Sequence, residues 1–374
     1  MLPSVLCQLL IATGPSLFNP RDGGVTVHCE TTLPCDAEVW TLDVVTMRFA
    51  QWPATSGRYH RAELDLLPED RVFLYAVRCR DGSRETWSDP YLFRTLPAVR
   101  VPLRVGIWGD NQIGTDVFHP MIRAMIAEGC TQYLGVGDYI QNEGVYAEWH
   151  SQFFDHMGPV LRYLPVLGAR GNHDGEDEFA RGLWLVPGAN EQWGAVTWRN
   201  ARVVVLDSNP HYPNLYSLQR GGAQRVWLDQ EMQSAAWRDA DFRIVAFHHP
   251  HATEQWDGGC YYGLNGRDPL LADLVEGSLL PGGASLIVNG HAHSYQRGSW
   301  NPLQYHVITG GGGGWLDQPQ CFDVPHITVN PGVNAQFFHF LTLDLGTVDL
   351  TVRCVRASNR SVYDTFTIPA HKLR

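Results

Sequence analysis

The stretch LPVLGARGNHD, Leu164 to Asp174, decides how the rest of the chain is read. An apolar run, Leu164 to Leu167, gives way to Gly171-Asn172-His173-Asp174 and then to the acidic residues Glu176, Asp177 and Glu178. A buried strand that ends in a glycine turn presents its next side chains at the rim of a sheet, where α/β enzymes assemble their chemistry. Alone, the tetrapeptide is an ordinary turn. Four other segments repeat its pattern. Gly109-Asp110-Asn111-Gln112 follows VGIW, Gly137-Asp138 follows YLGV, His248-His249-Pro250 follows IVAF, and Gly290-His291-Ala292-His293 follows LIVN. Each has a bland reading by itself, as a turn or as surface histidines. Taken together, in this order and each closing an apolar run, they read as one two-metal site.

The bulk numbers agree with a folded protein of more than one unit. At 374 residues the chain exceeds most single domains, so two are expected. A hydrophobic fraction of 44% and a charged fraction of 18% suit a globular protein with a full core. The formal charge of -11 argues against a nucleic-acid surface or a basic membrane helix, and an anionic substrate would need a local cation to attract it. Eight cysteines are too few for a disulfide scaffold, and with no CxxC pair a structural zinc site is not expected. Cys29 and Cys79 fall in strand-like runs that could face each other, as a pair or as buried thiols. The apolar start, Met1 to Ala12, lacks Lys and Arg and a good cleavage site, so it makes a poor signal peptide. No apolar run is long enough to span a membrane.

Two textures divide the chain. From Thr13 to about Thr95, short alternating strands are separated by turns, which predicts a small β-sandwich. Pro97 to Pro102 reads as a linker. Beyond it, strands alternate with helical periods, which implies an α/β core. Strands are expected at 103–108, 132–136, 201–206, 242–247 and 284–288. Helices are expected at 115–128, with Phe118, Ile122, Met125 and Ile126 on one side, at 146–157, and as one long element from about Gly222 to Trp237. The tail from Tyr305 returns to β texture. Gly310 to Gly314 is not a phosphate loop, since no Gly-Lys-Ser/Thr follows, and it reads as a flexible loop near the site.

With these motifs the sequence resembles the calcineurin-like metallophosphoesterases, and within them the purple acid phosphatases. The helix segment AQRVWLDQEMQSA before FRIVAFHHP, and GHAHSYQR, carry the closer likeness, and TWSDPYLFRTLP looks like the end of a fibronectin type III module. The resemblance implies a four-layer α/β/β/α metallophosphatase sandwich over residues 103–374, preceded by a fibronectin type III-like β-sandwich over 1–97. It implies two metal ions, from Fe, Zn or Mn. Asp110, Asp138 and His293 would hold one; Asp138, Asn172, His248 and His291 would hold the other. A shared carboxylate can bridge two cations ~3.5–4 Å apart and offset their repulsion, and neutral Asn172 adds an oxygen without adding charge. His173 would act as the general acid with Asp174 as the partner that orients its ring.

Two departures stand out. The tyrosine ligand of purple acid phosphatases falls on Gln141 here, with Tyr139 directly after Asp138; where many relatives carry a histidine two residues after the first aspartate, this chain has Gln112, a further candidate ligand. The substrate-facing histidine pair downstream of the fourth motif is absent, leaving His249, His251 and Arg297 as candidates for substrate contact. The implied reaction is hydrolysis of a phosphate monoester by a metal-bridging hydroxide. Phosphodiester hydrolysis at the same site is the first alternative, and a non-catalytic metal-binding or adhesion protein the second. The expected partner is a small phosphate ester, with no nucleic acid; oligomeric state stays open. The resemblance favours a secreted or periplasmic location, against the weak signal sequence.

Overall fold

The protein is described by a computed structural model covering residues 8–175, 192–209, 217–254, 266–317, 324–328 and 335–373. Glu176, Asp177 and Glu178 lie outside the described residues, as does most of the segment TEQWDGGCYYG.

The N-terminal region is all-β. Its strands are β1 Ile11–Arg21, β2 Gly24–Asp43, β3 Arg48–Pro53, β4 Gly57–Leu64, β5 Val72–Asp81, β6 Arg84–Trp87 and β7 Tyr91–Arg94. The two short runs expected near Val25 and Ala37 are one 20-residue strand, β2, which pairs with β4 through its first half and with β3 and β5 through its second. A register shift between Glu30 and Cys35 lets it change partners.

The remaining strands are β8 Leu103–Trp108, β9 Gln132–Gly135, β10 Val166–Gly168, β11 Gly194–Trp198, β12 Ala201–Val205, β13 Phe242–Ala246, β14 Leu286–Asn289, β15 Tyr295–Asn301, β16 Gln304–Thr309, β17 His339–Leu345, β18 Asp349–Arg356 and β19 Val362–Pro369. One sheet runs β19-β18-β17-β8-β9-β10-β1-β2-β5-β6, and a second runs β11-β12-β13-β14-β16-β15. Strands β8, β9 and β10 are mutually parallel, as are β12, β13 and β14. Such strands are buried on both faces, which is why they read as unbroken apolar runs. Their inner faces share one core, with Val105, Ile107, Leu134 and Leu167 of the first sheet against Val203, Val205, Ile244 and Val288 of the second. Helices cover both outer faces. Phe118, Met121, Ile122 and Met125 pack with Trp108 and Tyr133, while Leu228, Trp237, Leu271 and Leu274 pack with Val204, Val245 and Ile287. The result is the expected four-layer α/β/β/α sandwich.

Several local expectations are corrected. Helix Thr115–Ala127 buries Met121 and leaves Ile126 44% exposed, so the apolar stripe lies one residue away from the one read in the sequence. The element from Tyr146 passes through a π-helical turn, Trp149–Phe154, before Asp155–Leu161. The long helix expected from Gly222 is two, Ala223–Glu231 and Ala235–Asp239, because the Ser234 hydroxyl caps a new start by accepting from Trp237 N at 3.1 Å.

The two textures meet through strand β1. It pairs in parallel with β10 at Phe18 and Val166, and Phe18 packs into the same cluster as Trp108. Pro20 O accepts from Trp198 Nε1 at 2.6 Å, and Arg162 O accepts from Tyr75 Oη at 2.8 Å. The N-terminal strands are therefore hydrogen-bonded into the sheet that carries the first three motifs.

Candidate metal centre

All five expected segments leave the carboxyl ends of central strands. Asp110 follows β8, Asp138 follows β9 and Gly171–Asp174 follows β10 in the first sheet; His248 follows β13, and His291 and His293 follow β14, in the second. Because the sheets face each other, residues nearly two hundred positions apart become neighbours. His248 Nε2 lies 3.2 Å from Asp138 Oδ2 and 3.9 Å from Asp110 Oδ1, and His293 Nε2 lies 3.4 Å from Asp110 Oδ1. Asp110, Asp138 and His248 offer ligand atoms within 4.8 Å of one another, and so do His248, His249 and His291.

Backbone carbonyls fix which ring nitrogen faces the carboxylates. His248 Nδ1 donates to Val136 O at 2.8 Å, His293 Nδ1 to Trp315 O at 2.5 Å, and His173 Nδ1 to Gln141 O at 2.5 Å. In each case Nε2 is left as the functional atom, the arrangement by which outer groups orient metal-binding imidazoles. Burial alone would lower the His248 pKa, but the charges of Asp138 and then Asp110 outweigh it and raise the ring to about 9. Burial likewise works against His293, and Asp110, by hydrogen bond and by charge, lifts it to about 9. Burial raises the Asp138 carboxyl, yet His248 more than compensates and holds it far below the usual range. Burial and the neighbouring rings of His249 and His248 push His291 well below its ordinary value, so it is a neutral donor of lone pairs. The site thus takes up positive charge wherever its geometry allows, as protons or as cations. The Asn172 side-chain oxygen is buried with no hydrogen-bond partner, a state that costs about 1–3 kcal/mol unless something electropositive meets it. Carboxylates, imidazoles and a bare amide oxygen are the donor set that suits Zn, Fe or Mn.

The backbone is strained at the same places. Asp110, Asp138 and His291 have φ of 62°, 56° and 67°, a left-handed conformation that non-glycine residues seldom adopt and that gathers at functional sites. Glycines make room for the carboxylates. A Cβ on Gly171 would stand 2.1 Å from Asp138 Oδ1, and one on Gly290 2.5 Å from Asp110 Oδ2. The Gly310 to Gly314 loop, read as flexible, is tied down: Gly312 N donates to Gly109 O at 2.9 Å and Gly314 N to Asp110 O at 2.7 Å.

Gln112 is buried with its Nε2 donating to Asp138 Oδ2 at 3.2 Å. Turning the amide over would exchange that nitrogen for an oxygen. Tyr139 cannot stand in for the missing tyrosine ligand. Its hydroxyl donates to Ala169 O at 3.0 Å, and its ring lies among Trp108, Trp149 and Phe153.

Asp174, expected to orient the His173 ring, does something else. Its carboxylate accepts backbone N–H groups of Asp138 at 3.0 Å, Gly171 at 2.6 Å and Tyr139 at 2.7 Å. In the tight turn that follows Asn172 the neighbouring side chains diverge: His173 is partly exposed and Asp174 fully buried. Asp174 therefore braces the second motif against the third. Burial, then the charge of Asp138, raises its pKa to about 7. The substrate roles expected for His251 and Arg297 are also corrected. His251 is fully buried against the rings of His306 and His326, and the Arg297 guanidinium is committed to Asp364, at 2.6 and 3.3 Å, and to the face of Phe366. His249 is buried beside His291, with Nδ1 3.0 Å from Ser208 Oγ.

One set of residues escaped the sequence reading. Asp207, Ser208 and Asn209 follow the apolar strand β12 in the same manner as the other motifs. Asp207 forms a fully buried ion pair with Arg170 at 2.8 Å, Ser208 meets His249, and Asn209 Nδ2 donates to Gly171 O at 3.2 Å. The sequence signal for them is a polar cluster closing VVVL, which by itself also fits a turn.

Two facing sheets with carboxylate, amide and imidazole groups gathered at their strand ends define a metallophosphatase architecture. Residues 103–295, just over half of the 374, match the family model for calcineurin-like phosphoesterases, and the chain belongs to that family. An uncharacterized protein of Mycobacterium tuberculosis is 27% identical over 289 residues, 65% of this chain and 51% of that one. Purple acid phosphatase 15 of Arabidopsis thaliana is 23% identical over 279 residues, 65% of this chain and 50% of that one. The chain thus spans about half the length of these curated relatives. Among solved structures, GAP50, the anchor in the inner membrane complex of Plasmodium, shares the fold with a TM-score of 0.53 and 17% identity over 74% of this chain and 91% of its own. Among the described residues no helix is long and apolar enough to cross a membrane.

Proposed function

We propose that this chain is a dimetal-dependent hydrolase of phosphate monoesters, of the acid-phosphatase kind. The observation that carries the reading is the meeting of Asp110 and Asp138 with His248 and His293 across two sheets, beside the bare Asn172 oxygen. In this reading Asp110, Asp138 and His293 hold one ion, and Asp138, Asn172, His248 and His291 the other, with Gln112 as a further candidate. Family relatives work with such a dinuclear centre; when bound, the ions supply Lewis acidity toward the phosphoryl oxygens and lower the pKa of water to about 7.

The chain's own residues do the rest. His173 stands at the mouth of an open cleft of about 400 Å³ that it lines with Asn172, Gln141, Asn142 and Glu143. Its side chain is 34% exposed, with Nε2 4.0 Å from Asp138 Oδ2 and Nδ1 fixed by Gln141 O. That orientation lets Nε2 deliver a proton to the departing oxygen, so that an alcohol leaves rather than an alkoxide. Asp174 and the Arg170–Asp207 pair hold the turn that sets this angle. The division at 97 and 103 belongs to the same proposal, with the N-terminal strands as a docked support for the first sheet.

A specific observation favours the runner-up. Apart from His173, no described residue lining this cleft can carry positive charge, and a phosphodiester, with one charge fewer, needs less compensation. The deciding experiment compares p-nitrophenyl phosphate with bis-p-nitrophenyl phosphate on metal-reconstituted protein, with Asn172→Ala as control. Preference for the monoester, lost in the control, supports the proposal. Preference for the diester transfers it to the runner-up. Activity unchanged in Asn172→Ala would remove the assigned site altogether.

A further inference from the structure

The N-terminal region gathers three thiols and an imidazole that phosphate-ester chemistry does not use. Cys29 and Cys35 lie on β2, His60 on β4 and Cys79 on β5. Strand register brings them together. Cys29 stands opposite His60 across β2 and β4, and Ala37 stands opposite Cys79 across β2 and β5, with Cys35 two residues before Ala37 on the same face. The strand changes partners between these two cysteines, so both pairs turn into the interior. All four side chains are at least nine-tenths buried.

Their ligand atoms converge. One atom each from Cys35, His60 and Cys79 lies within 4.8 Å of the others, and Cys35 Sγ is 3.4 Å from His60 Nε2. Cys29 lies outside that set of three and is linked to it by its side-chain interaction with Cys79 and by its place opposite His60 across β2 and β4. His60 Nδ1 donates to Thr55 O at 2.8 Å, which leaves the Nε2 lone pair turned toward the sulfurs. This is how outer carbonyls orient metal-binding imidazoles elsewhere in the molecule. Thr31 Oγ1 closes the remaining side, 2.9 Å from His60 Nε2 and 3.6 Å from Cys35 Sγ.

Three readings compete. A disulfide would use two thiols and leave the third thiol buried beside the imidazole. A bare thiol cluster would bury three thiols, which are weak donors and weak acceptors. Three cysteines and a histidine, buried and closed to solvent, are a composition of structural zinc sites. We propose that Cys29, Cys35, His60 and Cys79 bind a structural zinc ion that ties β2, β4 and β5 together. Binding would form three Zn–S bonds and one Zn–N bond and release the three thiol protons to solvent, leaving a site of net charge -1. Linear spacing predicts no such site. Register across three strands creates it.

The test replaces zinc with Co²⁺ in the full chain and reads thiolate-to-cobalt charge transfer in the near ultraviolet, which carboxylate and imidazole ligands cannot produce. The band is expected in the wild type and in Asp138→Asn, and about one zinc per chain should remain in Asp138→Asn after the strand-end metals are lost. Cys79→Ser should abolish the band. Should that variant not fold, His60→Gln keeps all three thiols and is expected to keep the band while changing the visible ligand-field spectrum. Absence of the band in folded wild type overturns the proposal. So does a disulfide between any two of Cys29, Cys35 and Cys79 found by mass spectrometry of the native protein.

Discussion

Two of the strand-end histidines, His248 and His293, and the histidines of the N-terminal region sit in opposite electrostatic surroundings. His248 and His293 face Asp110 and Asp138, whose charges outweigh burial and lift both rings to about 9. For His28 and His60 burial dominates, and both fall below the ordinary value. The first region attracts positive charge even before any ligand is considered. The second accepts a cation only if its thiols give up protons to balance it. Preformed carboxylates make a site that can exchange and activate ions, whereas a neutral, buried Cys/His cluster suits an ion that stays.

The sharpest way to break this contrast is to remove the one strand-end histidine that is placed to move a proton. His173→Ala should lower turnover by roughly 10²–10⁴-fold, the range for losing a general acid, while metal content in both regions is unchanged. Steady-state rates with elemental analysis of the same sample check it; loss of metal would reassign His173 as a ligand. Next comes the ion pair under the site. Arg170→Met strands the fully buried Asp207 carboxylate and should reduce stability by about 3–5 kcal/mol in denaturant unfolding. A loss under about 1 kcal/mol would show that the pair is replaced by water and does not brace the turn.

Acid should act on the buried neutral rings, one of them, His339 on β17, outside both regions. Burial lowers His339, fully enclosed next to Thr309 and Phe337, to about 4. Its folded value lies below the unfolded one near 6.5, so the folded state resists a proton that the unfolded chain accepts. The associated stability is present above about pH 6.5 and declines as pH falls toward about 4, by on the order of 3 kcal/mol in full. His28 and His60 act in the same direction. Unfolding midpoints measured from pH 7 to pH 4 should fall, and fall less in a His339→Gln variant. A flat profile would contradict the neutral, buried assignment of these rings.

What could be read from the sequence follows the same division. The strand-end polar residues were legible because parallel central strands are apolar throughout, so each strand stops visibly and its polar successor stands out, as at Trp108–Asp110 and Phe247–His248. The partners of those side chains were not legible. The direction of Asp174 depends on a turn, and the Arg170–Asp207 pair depends on two sheets meeting. The apolar face of helix Thr115–Ala127 was read to within a residue, with Ile126 placed inward although it lies exposed, because an apolar pattern does not fix rotation about the axis. Of the Cys/His cluster only the facing of Cys29 and Cys79 was legible, because its spacing belongs to no linear motif; the 20-residue strand β2, bent between two partners, brings Cys29 and Cys35 against strands 25 and more residues away.

The smallest expected effect tests the correction made to the substrate pocket. Arg297 looked like a cation for phosphate, yet its guanidinium is spent on Asp364, with Nε at 2.6 Å and Nη2 at 3.3 Å, and Tyr295 Oη holds the same carboxylate at 2.7 Å. Lysine keeps the charge but loses the planar fork and the stacking over Phe366. Arg297→Lys should therefore lower stability by about 1 kcal/mol or less, since the pair is only partly shielded from water. KM for a phosphate ester should stay within about twofold, because no ground-state contact to substrate has been removed. A tenfold rise in KM at unchanged kcat would mean that the arginine leaves Asp364 when substrate arrives. In that case the strand-end site would acquire a cation that, apart from His173, the described residues of its cleft do not supply, and the case for the monoester would be strengthened by the same measurement.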